Sequence, residues 1–101
     1  MKEAALKAKQ QIIDILTSCK PEMEQTFGVQ RMALFGSYAR SEQKPGSDVD
    51  ILVEVRPEIG LNFVTLADRI EQLLGEPVDI VSARAIKPKF LQYISKDLEY
   101  D

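Results

Sequence analysis

The chain has 101 residues, of which 45% are apolar and 29% charged, with a net charge of −3. That is room for one hydrophobic core at an ordinary globular balance, so a single domain over residues 1–101 is expected, and disorder, fibres and a second core are excluded. Histidine is absent and Cys19 is the only cysteine, which removes the Ser-His-Asp triad, histidine acid–base catalysis, most zinc chemistry and any internal disulfide.

Apolar runs are only a few residues long, so no segment is expected to span a membrane. The first residues, Met-Lys-Glu-Ala-Ala-Leu-Lys, carry charge and no apolar signal core, which argues for a cytoplasmic protein. The acidic balance argues against general nucleic-acid binding, whose footprint is a strong basic patch.

In chain order, Lys2 to Ser18 reads as a helix with Ala5, Leu6, Ile12, Ile13 and Leu16 on a wide apolar stripe. Cys19 fits as a small residue on that partly buried face. Pro21 interrupts or restarts the helix, and Glu22 to Phe27 forms a second short piece ending at Gly28. Val29 to Phe35 is a strand leading into Gly36-Ser37. Tyr38 to Gln43 is a helix or turn, and Lys44-Pro-Gly-Ser is a loop. Asp48 to Val55 is a buried strand, with Asp48, Asp50 and Leu52 on one face and Val49, Ile51 and Val53 on the other. Arg56 to Gly60 is a turn. Leu61 to Leu74 is a helix with Phe63, Leu66, Ala67, Ile70, Leu73 and Leu74 in its stripe, closed by Gly75. Pro77 to Val81 is a short strand. Arg84 to about Leu98 is a helix with Ile86, Phe90, Ile94 and Leu98 recurring every fourth residue and Pro88 in its first turn. The expected fold class is therefore α/β (α+β), a small sheet packed by helices.

The chemistry concentrates between Gly36 and Asp50. Gly36-Ser37 is followed, after ten residues, by Asp48-Val-Asp50. Carboxylates at i and i+2 of a strand point the same way, roughly 7 Å apart along the backbone. Such a pair repels unless a cation lies between, and without histidine any metal must be held by oxygen, which favours Mg²⁺, Mn²⁺ or Ca²⁺. A Gly-Ser turn beside the pair can hold phosphate oxygens through exposed backbone N–H groups, Gly36 letting the backbone come close. The plain alternatives are a turn acid for Asp48 and an exposed strand acid for Asp50.

Asp79 is the third candidate. Pro-Val-Asp-Ile-Val sets a carboxylate inside an otherwise apolar strand, where an unpaired charge is costly, and a buried ion pair with a partner such as Arg31 is the structural alternative. Should its strand lie beside that of Asp48 and Asp50, Asp79 completes a triad on one face. Three carboxylates can hold two Mg²⁺ ions about 3.5–4 Å apart for in-line displacement at phosphorus, with Asp79 deprotonating or orienting the attacking hydroxyl. Arg40 can pair with a phosphate, against the alternative of a solvated surface arginine. Ser37 lacks a base and fits phosphate contact better than nucleophilic attack. Lys44 reads as a loop charge and Tyr38 as packing under the turn. The Gly-x-x-x-x-Gly-Lys-Ser/Thr pattern is absent, which excludes a P-loop.

Phe-Gly-Ser-Tyr-Ala-Arg, followed by Gly-Ser-Asp-Val-Asp-Ile-Leu-Val and the separate Asp79, resembles the signature of the polymerase-beta nucleotidyltransferase superfamily, in the form of its minimal branch, the MNT proteins. The likeness covers roughly Met32 to Val81. It implies a mixed sheet flanked by helices, Asp48, Asp50 and Asp79 on Mg²⁺, and Gly36 and Ser37 on the triphosphate of a nucleotide, ATP above all. It further implies transfer of a nucleoside monophosphate to a hydroxyl. Minimal members are commonly antitoxins that place AMP on a tyrosine of a HEPN ribonuclease toxin, which makes a HEPN-type toxin the expected partner. Ser41 departs from the pattern, since relatives often have glycine there. So short a chain has little left with which to grip an acceptor. The outer face of the first helix and the Phe90–Tyr100 end are candidate docking surfaces, with core packing as their alternative. A contact-only antitoxin, or nucleotidyl transfer to a small molecule or RNA, are the competing readings; the oligomeric state is open.

Overall fold

The computed structural model describes residues 7–94 together with Glu99 and Tyr100. The first helix, α1 (Lys9–Phe27), buries Ile12, Leu16, Cys19 and Met23, a spacing of four, three and four residues that keeps one stripe on the core. That stripe runs straight past Pro21, which lies inside the helix, so the expected break there does not occur. Pro21 and Thr17, the residue whose carbonyl the missing N–H would have bonded, both face solvent. Water can satisfy that carbonyl, and burying Cys19 and Met23 on either side offsets the roughly 3 kcal/mol that an interior proline costs. The expected start at Lys2 is also revised, since Ala8 caps the helix and Lys9 begins it; positions 2–6 lie outside the described residues. At the other end Gly28 takes a left-handed conformation (φ 72°) and its N–H returns to the helix, ending α1 as expected.

Four strands follow: β1 (Val29–Phe35), β2 (Val49–Val55), β3 (Val78–Ser82) and the two-residue β4 (Glu99–Tyr100), in the sheet order β3-β2-β1-β4. β1 runs antiparallel to β2 and to β4, whereas β2 and β3 are parallel. The parallel pair is joined by α3 (Asn62–Leu74), reached through a 3-10 turn at Pro57–Ile59. A parallel pair needs such a crossover. α3 buries Leu66, Ile70 and Leu74 and ends at Gly75, φ 70°. Met32, Leu34, Val49, Ile51, Val53 and Val55 join the buried side chains of α1 and α3 in the main core. Between the two helices Arg69 grips Glu22 by two hydrogen bonds, Nε to Oε2 at 2.7 Å and Nη2 to Oε1 at 3.2 Å, a fork that holds the Glu22 carboxyl below its usual range. The result is the small sheet packed by helices that the order of elements implied, and it is mixed, as the family resemblance implied.

The C-terminal stretch differs most from expectation. Instead of one helix from Arg84, the chain turns at Ala83–Ala85 and makes only α4 (Pro88–Ile94). Pro88 starts it, as expected, and disfavours helical geometry in Lys87, which cuts Ile86 out of the periodic stripe. Ile86 packs instead with Val81 and Ala83 on Ala33, Phe35 and Leu52, a small second cluster on the opposite face of the sheet. Phe90 is 44% exposed rather than core. Leu98 lies outside the described residues. The chain then returns as β4 beside Ala33 and Leu34.

Candidate active site

The second sheet face carries the candidate residues. In the β1–β2 register Ala33 faces Leu52 and Phe35 faces Asp50, and in the β2–β3 register Asp50 faces Asp79 and Leu52 faces Val81. Asp50 and Asp79 are therefore direct neighbours on adjacent parallel strands. The condition that the sequence left open, whether the Asp79 strand lies beside that of Asp48 and Asp50, is met. Asp48 sits one residue before β2 on the same side of the pleat as Asp50. Asp79 is exposed rather than buried in its strand, because β3 is the sheet edge. It forms no pair with Arg31, which lies at the far end of this face against Glu54, Nη1 to Oε2 3.7 Å.

Asp50 is the perturbed member of the three. Asp50 is half-buried, and burial first, then the Asp79 and Asp48 charges, push its carboxyl from 3.8 up to about 6, with the Arg40 guanidinium pulling the other way. The three carboxyl groups nevertheless do not close on a common point. Among the described residues no three acidic or sulfur-bearing side chains are gathered into a formed metal cage. Like charges facing one another spread apart, and Asp48 and Asp79, both exposed, have room to turn. The donor set itself, three carboxylates on one edge with one of them reluctant to ionise alone, suits a hard divalent cation.

The Gly36-Ser37 turn abuts these acids. β1 ends at Phe35 and the short helix α2 (Gly36–Ala39) begins at once, so its first N–H groups have no partner within the helix. Gly36 has φ +76°, and a Cβ there would overlap a carboxylate oxygen of Asp50 and lie 3.1 Å from its Cγ. Glycine is required both by the left-handed backbone and by the approach of Asp50. Sequence reasoning assigned Gly36 to the ligand alone; its contact with Asp50 spans fourteen positions of chain and has no local signal. Ser37 is half-exposed on the turn. Tyr38 is fully buried and belongs to the main core under the turn, as expected, and among the described residues its hydroxyl finds no hydrogen-bond partner. Burial, then the nearby Glu76 charge, raises the Tyr38 phenol above its usual value.

Arg40 caps α2, its backbone N–H donating to the Gly36 carbonyl at 3.1 Å. Its Nε donates to Glu42 Oε1 at 2.9 Å, and its charge acts on Asp50 to lower the carboxyl. The next residue, Ser41, has φ 57°, a left-handed conformation that favours glycine. The loop before Asp48 is closed by Ser47, whose N–H donates to the Lys44 carbonyl and whose hydroxyl accepts the Lys44 N–H, both at 2.9 Å. Pro45 and Gly46, φ 92°, lie between, the order of a type II turn. Beyond it the Val49 N–H donates to the Pro77 carbonyl at 2.9 Å, and the Val78 N–H to Glu71 Oε2 at 3.0 Å. These bonds pin the starts of both acid-bearing strands. Pro45-Gly46 signals the first of them in sequence; nothing signals Glu71, which reaches β3 across a helix end.

The nucleotidyltransferase domain model matches residues 16–101. The chain is 38% identical to a protein adenylyltransferase MntA of Thermococcus cleftensis over 95% of this chain and 98% of that protein. A solved structure assigned as a minimal nucleotidyltransferase is 28% identical and superposes with a TM-score of 0.73, covering 95% of this chain and 98% of that one. A toxin–antitoxin structure with AMP-PNP is 26% identical with a TM-score of 0.65, covering 91% of this chain and 70% of that one. With a Gly-Ser turn packed directly on paired strand carboxylates and a match over nearly its whole length, this chain belongs to the nucleotidyltransferase domain family, among its minimal, MntA-like members.

Proposed function

We propose that this chain is a Mg²⁺-dependent protein adenylyltransferase that transfers AMP from ATP to a tyrosine hydroxyl of a HEPN-type toxin and so acts as that toxin's antitoxin. The observation that carries the reading is the contact of Gly36 with Asp50 together with the Asp50–Asp79 register. It joins a phosphate turn to a carboxylate face. The name of the Thermococcus cleftensis relative and the ATP analogue in a toxin–antitoxin neighbour support the activity and its setting.

Asp48, Asp50 and Asp79 are the residues that would hold magnesium, which when bound supplies charge neutralisation at the reacting phosphate and the leaving diphosphate. The α2 N–H groups and the Ser37 hydroxyl bind phosphate oxygens, and Arg40, presented from the same turn, pairs with them. Asp79, on the exposed sheet edge, accepts the acceptor hydroxyl's proton or orients that hydroxyl for attack. The hydroxyl oxygen bonds to the α-phosphorus as the bond to the bridging oxygen breaks, and diphosphate leaves. With the site at an open edge, the acceptor protein supplies the remaining wall.

The contact-only reading draws on the carboxylates that stand apart. Incubation with α-labelled ATP, Mg²⁺ and the partner protein separates the two. Label on a partner tyrosine, lost in Asp48→Asn/Asp50→Asn, supports transfer; no label with any nucleotide, and neutralisation unaltered in the double variant, supports contact alone.

A further inference from the structure

The strand that carries Asp79 is the least supported of the long strands. β3 lies at the sheet edge with β2 as its one neighbour. Its register sets Asp79 beside Asp50 on one face of the sheet. Pro77 has no N–H to offer, so Val78 carries the first outward donor of the strand. That donor is taken by Glu71 of α3, Val78 N–H to Oε2, 3.0 Å. The same residue's main-chain carbonyl accepts the Gly75 N–H at 2.8 Å. Glu71 thus closes the helix with its backbone and starts the strand with its side chain, bracketing the Gly75–Pro77 turn from both ends. Val78 and Ile80 pack into the main core from the other side, which leaves Asp79, between them, aimed at Asp50.

We propose that Glu71 is a positioning residue for Asp79: its hydrogen bond to the Val78 amide holds the edge strand in the register that brings Asp79 beside Asp50. The inference rests on the reading of these acids as metal ligands. A partner one step removed from a ligand acts by fixing its place, and its loss shows first in metal affinity.

Mn²⁺ binding to the nucleotide-free chain, followed by electron paramagnetic resonance, is the test, with amide hydrogen exchange of Val78 as a second readout. Glu71→Ala is expected to weaken Mn²⁺ binding about tenfold and to deprotect the Val78 amide, while that of Leu52, on the β1 side of β2, keeps its protection. Glu71→Gln retains an acceptor oxygen and is expected to restore both. Asp68→Ala, which removes a charge from the same helix without a bond to β3, is expected to leave both unchanged. Unaltered Mn²⁺ affinity in Glu71→Ala, beside a wild type that binds, overturns the positioning role alone, as does Glu71→Gln behaving like alanine. A wild type that binds no Mn²⁺ overturns the metal reading of the acids, and this inference with it.

Discussion

Asp50→Asn should stabilise the metal-free protein while abolishing its chemistry. In the folded chain the Asp50 carboxyl is pushed from 3.8 to about 6 by burial and by Asp79 and Asp48. A shift of about two units corresponds to about 3 kcal/mol at neutral pH, at 1.36 kcal/mol per unit. Asp50 is only half-buried, so solvent screening reduces this to about 1–2 kcal/mol. The sign follows from linkage. Below pH 3.8 the group is protonated folded and unfolded alike and costs nothing. Between pH 4 and 6 the unfolded chain ionises first, and above pH 6 the whole penalty is present. Asparagine, of the same shape and uncharged, removes it. Thermal melts in EDTA should therefore place Asp50→Asn about 5 °C or more above wild type at pH 7.5, the gap closing as pH falls through 6 and vanishing near pH 4. Added Mg²⁺ should raise the wild type and leave the variant where it was. A variant no more stable than wild type at pH 7.5, or a gain independent of pH, would refute the idea that burial and its acidic neighbours penalise the Asp50 charge in the folded chain.

Other substitutions test neighbouring parts of the site. Gly36→Ala forces a Cβ into the Asp50 carboxylate on a backbone with φ +76°, and should cost about 2 kcal/mol or more in urea unfolding and remove ATP-dependent labelling; retention of both would show that the Gly36–Asp50 contact is incidental. Tyr38→Phe removes a buried hydroxyl that has no partner, so stability should hold or rise by up to about 1 kcal/mol, with transfer intact. A loss of transfer would give the phenol a role at the ligand.

How far the sequence reached depends on how local each signal is. Gly28 and Gly75 end their helices because left-handed caps are written in one residue, and the alternation from Asp48 to Val55 sorts the acids to one face with no help from the rest of the chain. The pairing of Asp50 with Asp79 needed β3 to choose β2 as its neighbour, a choice made by the α3 crossover and legible only as a condition. Pro21 misled because local propensity was outweighed by the stripe of Ile12, Leu16, Cys19 and Met23 packing on the sheet. The C-terminal periodicity misled for the opposite reason: Pro88 cut Ile86 out of the helix, and an apolar patch on the second sheet face took it. Ser41, noted first as a departure from a family pattern, has its physical meaning in φ 57°. Gly36 against Asp50 and Glu71 beneath Asp79 are contacts between distant turns, and no spacing announces them.

The central claim is that the carboxylate face transfers AMP. The direct measurement is the rate at which label passes from α-labelled ATP to the partner toxin in Mg²⁺, wild type against Asp48→Asn/Asp50→Asn. Label on a tyrosine is expected, with a fall of at least about a thousandfold in the double variant, about 4 kcal/mol of barrier. Equal labelling by the double variant, or toxin neutralisation by wild type with no nucleotide consumed, would contradict that claim.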